Sequence, residues 1–207
     1  MSCRRVLKVS SKEMHTEHVT WNMLERWDLS PNLLFQMAEK NSYKMFPPVV
    51  ESISEVLKGF FVDELMENLN RDPDSAFKKA EKDYQTLFGD TPKDLPEIYV
   101  VSNSMRVRGA ASIFYSNVLR EVAKKFGTDL ILLPSSIHEW LILPYNRDYK
   151  LADLENMVYE ANTEVVAERE ILSYHVYGYV RKTDQLSILS KNGSNLSKAL
   201  DKTNESC

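Results

Sequence analysis

The stretch Leu130–Pro144 reads LILLPSSIHEWLILP, and it decides the fold. Two unbroken apolar runs, Leu130–Leu133 and Trp140–Leu143, flank a short polar turn. Apolar runs of this length without polar alternation are typical of strands that are covered on both faces and satisfy their backbone groups by pairing. The stretch therefore predicts a buried hairpin at the centre of a sheet that helices shield.

The residues around this hairpin supply the other elements of the sheet. From Ile98 the predicted order is strand, helix, strand, strand, helix, strand, which is the order of a ferredoxin-like split unit with one extra strand. Other helix-backed antiparallel sheets share this order. We therefore expect an α+β protein with an antiparallel or mixed sheet backed by helices, and a ferredoxin-like sheet is one arrangement that fits. The supporting segments are strands at Ile98–Ser102, Tyr174–Arg181 and Gln185–Ser190, and helices at Gly109–Phe126 and Leu151–Ala161.

The first ninety residues are predicted to be mainly helical. Ser30 precedes Pro31 and Asp72 precedes Pro73, and a side-chain acceptor followed by proline marks a helix start. A helical apolar pattern also predicts a helix over Val49–Asn70. Within that helix, Ser52 and Glu55 have the spacing of an internal capping box. The helix after Ser30 carries one apolar stripe, formed by Leu33, Leu34, Met37 and Ala38.

These patterns divide the chain into four parts. Residues 1–12 are predicted to be an unstructured leader, residues 13–97 a mainly helical part, residues 98–190 the α+β sheet part, and residues 191–207 a disordered tail. The boundary before the sheet part contains two prolines with acidic neighbours, which interrupt both helical and strand patterns.

Composition limits the classes of function. The chain has 207 residues, of which 43% are hydrophobic and 27% charged, as expected for a globular protein. Its formal charge of -4 argues against nucleic acid as a partner, because that affinity rests on clustered lysine and arginine. No apolar stretch approaches the ~20 residues that span a bilayer, and no apolar segment follows the basic N-terminus. We therefore expect a cytoplasmic protein without a membrane partner.

The polar turn of the hairpin contains the residue types of a nucleophilic triad. Its candidate catalytic residues are Ser135, Ser136, His138 and Glu139, which allow a hydrolase. Near neighbours on a turn rarely converge, however, and hydroxyl groups that satisfy local backbone amides are the simpler interpretation.

A metal-dependent enzyme is the related alternative, because His15, His18 and His175 add further candidate ligands. His15 and His18 are three residues apart in a predicted strand, so their side chains point to opposite faces and cannot share one ion. We therefore expect neither a metal nor another cofactor.

A second candidate site surrounds Arg106, Arg108 and Gly109, with His175 as a further ligand-binding candidate. Two guanidinium groups beside a predicted helix start are able to bind an anion. The segment has a single glycine and lacks the lysine that follows the glycines of a P-loop.

The third hypothesis is an interaction module. Tyr174, Tyr177 and Tyr179 give a tyrosine-rich strand, and tyrosine provides contact area at modest entropic cost. Phe60 and Phe61 of the helix predicted over Val49–Asn70 likewise favour self-association. We expect a binding or regulatory interaction module that binds a protein partner or itself, with the hydrolase or metal-dependent enzyme as the alternative.

Several motifs resemble one known family. They are Phe46-Pro47-Pro48, the strand Tyr99–Ser102 leading to Gly109-Ala110-Ala111, the string Leu133–Glu139, and Leu172-Ser173 with His175-Val176-Tyr177. Together they are similar to the bacterial domain-of-unknown-function family 5688, over roughly Val19 to Leu189. The resemblance implies a bacterial cytoplasmic protein and no particular activity. Because members of that family are generally longer at the N-terminus, it also implies that this chain lacks an N-terminal portion.

Overall fold

The computed structural model describes residues 3–9, 14–69, 72–89 and 98–189. These ranges contain eight strands and six α-helices, with two short 3₁₀ helices at Gly109–Phe114 and Glu168–Glu170. The elements are β1 Arg4–Val9, β2 Met14–His18, α1 Trp21–Trp27, α2 Pro31–Met45, β3 Pro48–Ser52, α3 Ile53–Leu69, α4 Pro73–Phe88, β4 Tyr99–Asn103, α5 Val118–Phe126, β5 Leu130–Ser136, β6 Glu139–Pro144, α6 Leu151–Glu164, β7 Val176–Val180 and β8 Gln185–Leu189.

Six of the strands form one antiparallel sheet in the order β3-β4-β6-β5-β7-β8. The predicted hairpin is its centre: β5 pairs with β6, and Leu132 lies opposite Ile142. β1 and β2 form a separate two-stranded ribbon. The prediction of an α+β protein with an antiparallel sheet backed by helices is confirmed.

The strand order agrees with the ferredoxin-like arrangement except at its last strand. β4 and β5 run parallel with β6 between them, which is the split unit expected from the element order. In a ferredoxin-like sheet the last strand lies on the far side of the first. Here β3 already pairs with β4 on that side, so β7 pairs with β5 instead.

This order explains why both faces of the sheet are covered. β6 and β7 are also parallel, with β5 between them. The crossover from β4 through α5 to β5 and the crossover from β6 through α6 to β7 therefore proceed in the same direction across the sheet. Their first strands, β4 and β6, are antiparallel to each other. Right-handed crossovers then place their helices on opposite faces. Leu130 and Leu132 pack against α5, whereas Ile131 and Leu133 pack against α6. The apolar runs are unbroken because successive side chains enter two different cores.

One predicted helix needs correction. The helix expected over Val49–Asn70 begins only at Ile53, because its first residues form the edge strand β3. Ser52 and Glu55 do form a capping box, but at the start of the helix: the Glu55 carboxylate accepts from the Ser52 amide at 2.8 Å, and the Ser52 hydroxyl accepts from the Glu55 amide at 3.2 Å. The capping box thus marks where the strand ends.

The N-terminal leader also differs from expectation. β1 lies within residues 1–12, and its pairing with β2 satisfies backbone groups that an unstructured leader leaves to water. The helix starts at Ser30 and Asp72 are confirmed, since each side chain accepts from the amide three residues later. The predicted boundary with two prolines, at residues 90–97, and the predicted disordered tail at residues 191–207 lie outside the described residues. No helix in the described ranges is long and apolar enough to cross a bilayer.

Candidate functional site

The candidate catalytic turn is a tight connection between β5 and β6 in which Ile137 and His138 lie between the paired residues Ser136 and Glu139. Its backbone is held from both sides. The Ile137 amide donates to the Glu170 carbonyl at 2.8 Å, and the Ile137 carbonyl accepts from the Ala110 amide at 3.2 Å. The turn is therefore fixed to the 3₁₀ helices at Gly109–Phe114 and Glu168–Glu170.

The His138 ring joins the two candidate sites. Nδ1 of His138 accepts a hydrogen bond from the Arg108 amide at 3.1 Å, and Nε2 lies 3.9 Å from the Glu170 carboxylate. An imidazole nitrogen that accepts a hydrogen bond carries no proton, so neutral His138 has its proton on Nε2, facing Glu170. This arrangement orients the ring, and its Nδ1 lone pair is occupied by the hydrogen bond from Arg108.

The serine hydroxyl groups of the turn are engaged locally. Ser136 Oγ accepts from the His138 amide at 3.0 Å, and Ser135 Oγ donates to Glu139 at 3.4 Å. A nucleophilic serine needs its hydroxyl at the lone pair of a base, whereas the His138 ring nitrogens face Arg108 and Glu170. Ser136 thus satisfies a local backbone amide, as in the simpler interpretation, whereas Ser135 contacts a carboxylate side chain.

Gly109 packs closely against the turn and against the end of β4. A Cβ atom added at Gly109 lies 2.1 Å from Ser102 Oγ, 2.6 Å from the Asn103 amide nitrogen and 2.7 Å from the His138 carbonyl oxygen. Ser102 Oγ in turn donates to that carbonyl at 2.7 Å, and buried Ser112 donates to the Ser102 carbonyl at 3.0 Å. Gly109 is thus required for packing.

The two candidate arginines adopt an unfavourable backbone conformation. Arg106 has φ 50° and Arg108 has φ 52°, in the left-handed region that non-glycine residues enter at a cost of about 1–2 kcal/mol. Arg106 forms an ion pair with Glu51 of β3. The exposed Arg108 guanidinium has no partner among the described residues, which leaves it available to an anion.

His175 belongs to a different group of contacts. It is exposed just before β7, and its amide donates to Ser173 Oγ at 3.1 Å. Ser173 Oγ also lies 3.0 Å from the Tyr177 hydroxyl, and the Ser173 carbonyl accepts from buried Asn162 of α6 at 2.9 Å. The structure therefore brings Arg108, Gly109 and His138 together and places His175 in a separate network.

Only one of the three predicted interface tyrosines is well exposed. Tyr179 is buried, and Tyr177 is half-buried edge-on to Trp140 at a centroid distance of 5.2 Å. Tyr174 is 48% exposed and contacts Tyr159 of α6. No local pattern connects Tyr159 with Tyr174, because the two rings meet only once the chain has folded.

The histidines of the ribbon have the strand geometry that we expected for them. His15 and His18 lie on β2, opposite Lys8 and Arg4 of β1. Among the described residues, no three histidine, cysteine, aspartate or glutamate side chains converge as metal ligands.

A groove lies between α2, β3 and α5. Its volume is about 470 Å³, and Val50, Val118 and Val122 form its apolar floor. Tyr43 of α2 lines it and contacts Tyr115 edge-on at a centroid distance of 5.8 Å. None of the residues of the candidate catalytic turn lines this groove. No sequence motif indicated the groove.

Comparison with known proteins identifies a family whose function is unknown. One family model matches residues 1–181, and the family is described as one of unknown function. The match begins at residue 1, earlier than the resemblance at Val19 that the motifs indicated. No curated protein and no solved structure matches the chain.

Proposed function

This chain belongs to the family of unknown function DUF5688, and from its geometry we propose that it is a protein-interaction module that associates with a second copy of itself. The proposed contact is the α1–α2 surface, which comprises residues 21–45. The family resemblance adds the expectation of a bacterial cytoplasmic setting, and self-association can be measured without reference to that setting.

One observation carries the proposal: α2, a helix of 15 residues, has no buried residue. Only part of its apolar stripe packs against the rest of the chain. Leu34 and Ala38 are half-buried, whereas Leu33 and Met37 are 44% and 43% exposed. Leu33 and Met37 are four residues apart and share one face. That face is therefore open to a partner.

A helix gains most of its stability from tertiary packing of its apolar face. On α2 this packing is slight, and further apolar side chains are exposed nearby in sequence, with Trp21 70% and Met45 49% exposed. Several large apolar side chains exposed within one 25-residue segment favour protein contact. Association would bury side chains that folding alone leaves in water.

The charges of this surface favour a second copy as the partner. Residues 21–45 contain three acidic and three basic side chains, so their formal charge is zero. Two copies can approach without the repulsion that like-charged patches create. A symmetric contact then uses the same face on both subunits.

The test is analytical ultracentrifugation over a wide range of protein concentration. The native chain is expected to shift from monomer to dimer as its concentration rises. The double variant Leu33→Lys with Met37→Lys is expected to remain monomeric, because both side chains are exposed and their replacement places charge in the contact without disturbing the core.

A matched control uses two exposed apolar residues elsewhere. Phe77 and Leu87 of α4 are 61% and 66% exposed, and Phe77→Lys with Leu87→Lys should leave dimerisation unchanged. The proposal is overturned if the native chain stays monomeric at every concentration, or if the α2 variant dimerises as well as the α4 control.

A further inference from the structure

A second surface, on the opposite side of the sheet from α5, has a different character. It comprises the exposed side chains of residues 151–175, and we call it the acidic tyrosine surface. These residues include α6, the 3₁₀ helix at Glu168–Glu170 and the segment that leads to β7. At its centre Tyr159 and Tyr174 are 61% and 48% exposed, with ring centroids 6.3 Å apart and planes inclined at 48°. Two aromatic faces are thus held together in water.

The charge of this surface is strongly negative. Residues 151–175 contain six carboxylates and one arginine, a formal charge of -5, whereas the whole chain has -4. The rest of the chain is therefore slightly positive. Four of the six carboxylates, on Asp153, Glu160, Glu164 and Glu168, are exposed, together with Arg169. Glu160, Glu164 and Glu168 have no cationic partner among the described residues. Their negative charge is available to a ligand.

These carboxylates do not stabilise the helix that carries them. Glu160 and Glu164 are four residues apart on α6, and like charges at that spacing repel. Glu164 also lies in the last turn of α6, which lacks a basic residue, although the helix dipole favours cations there. Side chains that oppose local stability are expected where the chain serves another purpose.

We propose that the acidic tyrosine surface binds an arginine-bearing segment of another polypeptide. A guanidinium group stacks on the face of a tyrosine ring and pairs with carboxylates through its planar set of donors. Val165, which follows α6 and is 82% exposed, offers a contact for the aliphatic stem of such a side chain. Residues 151–175 thus supply aromatic, acidic and apolar side chains for these contacts.

This partner differs from the one proposed for the α1–α2 surface. Two copies of a surface with four exposed carboxylates and one arginine repel each other, so this surface does not suit self-association. The inference therefore goes beyond the proposed function and does not depend on dimerisation. A monomeric chain that binds arginine peptides would refute the first proposal and leave the second standing.

The experiment measures peptide binding to the full chain by fluorescence anisotropy. The probes are labelled Gly-Ser peptides with several arginines, and matched peptides with lysine or glutamate in their place. The arginine peptide is expected to bind a few-fold more tightly than the lysine peptide, because arginine stacks better on an aromatic face. The glutamate peptide is expected not to bind.

Two variants separate the ring contribution from the charge contribution. Tyr159→Leu with Tyr174→Leu keeps much of the apolar area but removes the π faces, and should weaken arginine-peptide binding by about fivefold. Glu160→Gln, Glu164→Gln and Glu168→Gln together should weaken binding of both cationic peptides and reduce its salt dependence.

The control variant Tyr43→Leu with Phe77→Leu removes two comparably exposed rings from other surfaces and should not change the affinity. Circular dichroism checks that each variant is folded. The proposal is overturned if the arginine peptide does not bind. It is equally overturned if arginine and lysine peptides bind alike and the tyrosine variant matches the control, since binding is then a general charge effect.

Discussion

The backbone amide of Arg108 donates to Nδ1 of His138 across 3.1 Å, and this contact connects the loop after β4 to the β5–β6 turn. It lies next to Gly109, which packs closely against the His138 carbonyl, and it leaves Nε2 of the ring 3.9 Å from Glu170. The candidate turn and the candidate arginine loop therefore form one unit of structure.

The first prediction concerns the tautomer of His138. We expect neutral His138 to carry its proton on Nε2, because Nδ1 accepts from Arg108. Long-range ¹⁵N–¹H correlation spectra of the imidazole distinguish the two tautomers. A predominant Nδ1–H form would contradict the geometry, and it would reopen the question of whether the ring serves a serine hydroxyl.

The second prediction compares two glycines. Gly109→Ala should destabilise the fold by about 3 kcal/mol, because the added methyl group meets backbone atoms of Asn103 and His138 that cannot move aside singly. Gly59 lies in α3, and a methyl group added there has no neighbouring atom within 4 Å, so Gly59→Ala should stabilise by up to about 1 kcal/mol. Urea denaturation measures both changes. Equal effects at the two positions would exclude the close packing described for Gly109.

These contacts show which parts of the structure can be predicted from the sequence. The hairpin at Leu130–Leu143 was predictable because its signal is local: two apolar runs and a short turn. The edge strand β3 was missed because its five residues continue directly into the apolar pattern of α3, and only pairing with β4 identifies it. Long-range pairing has no local signature.

The same reasoning applies to the candidate site. The turn residues were identified by their types, but Glu170 was not, although its carboxylate lies 3.9 Å from the His138 ring. Glu170 reaches the turn because β7 pairs with β5, and the sequence did not predict that strand order. The partners of the turn are therefore set by the topology of the sheet.

The third prediction is alkaline sensitivity through Tyr179. Burial, together with a hydrogen bond to Asp184 at 2.5 Å, raises the pKa of Tyr179 from 10.0 to about 12. The folded chain holds this proton to higher pH than the unfolded chain, so the stability it confers is complete below pH 10 and is lost as the pH rises through about 12. Burial also raises the pKa of Tyr115 and Tyr149, so ultraviolet titration should show several late phenolates, and the latest of them should be missing in Tyr179→Phe.

The fourth prediction concerns Asp184 at low pH. The hydrogen bond from Tyr179, followed by the contact with Arg120, lowers the pKa of Asp184. A lowered pKa in the folded state gives stability that is present above the ordinary carboxyl range and is lost as the pH falls through the folded value. Asp184→Asn should therefore be less stable than the native chain at neutral pH, and the difference should shrink in acid.

Thermal unfolding across the acid range measures this difference. Asp148 provides the control, because it is an exposed aspartate whose carboxylate has no partner among the described residues, while its backbone amide donates to Asn146 Oδ1 at 3.0 Å. Asp148→Asn should leave the pH profile unchanged. A pH profile for Asp184→Asn that runs parallel to the native one would mean that this carboxylate does not contribute through ionisation.

The fifth prediction tests whether the Arg108 side chain supports the fold. Arg108 has φ 52°, and its guanidinium has no partner among the described residues, so Arg108→Gly should raise stability by about 1 kcal/mol through relief of backbone strain. Asp28 has the same φ at the end of α1, but aspartate enters this region more readily than arginine, so Asp28→Gly should gain less if strain alone decides. Denaturant midpoints compare the two. If Arg108→Gly instead destabilises while Asp28→Gly does not, the arginine side chain holds the loop. A gain at Arg108 means that its side chain does not support the fold.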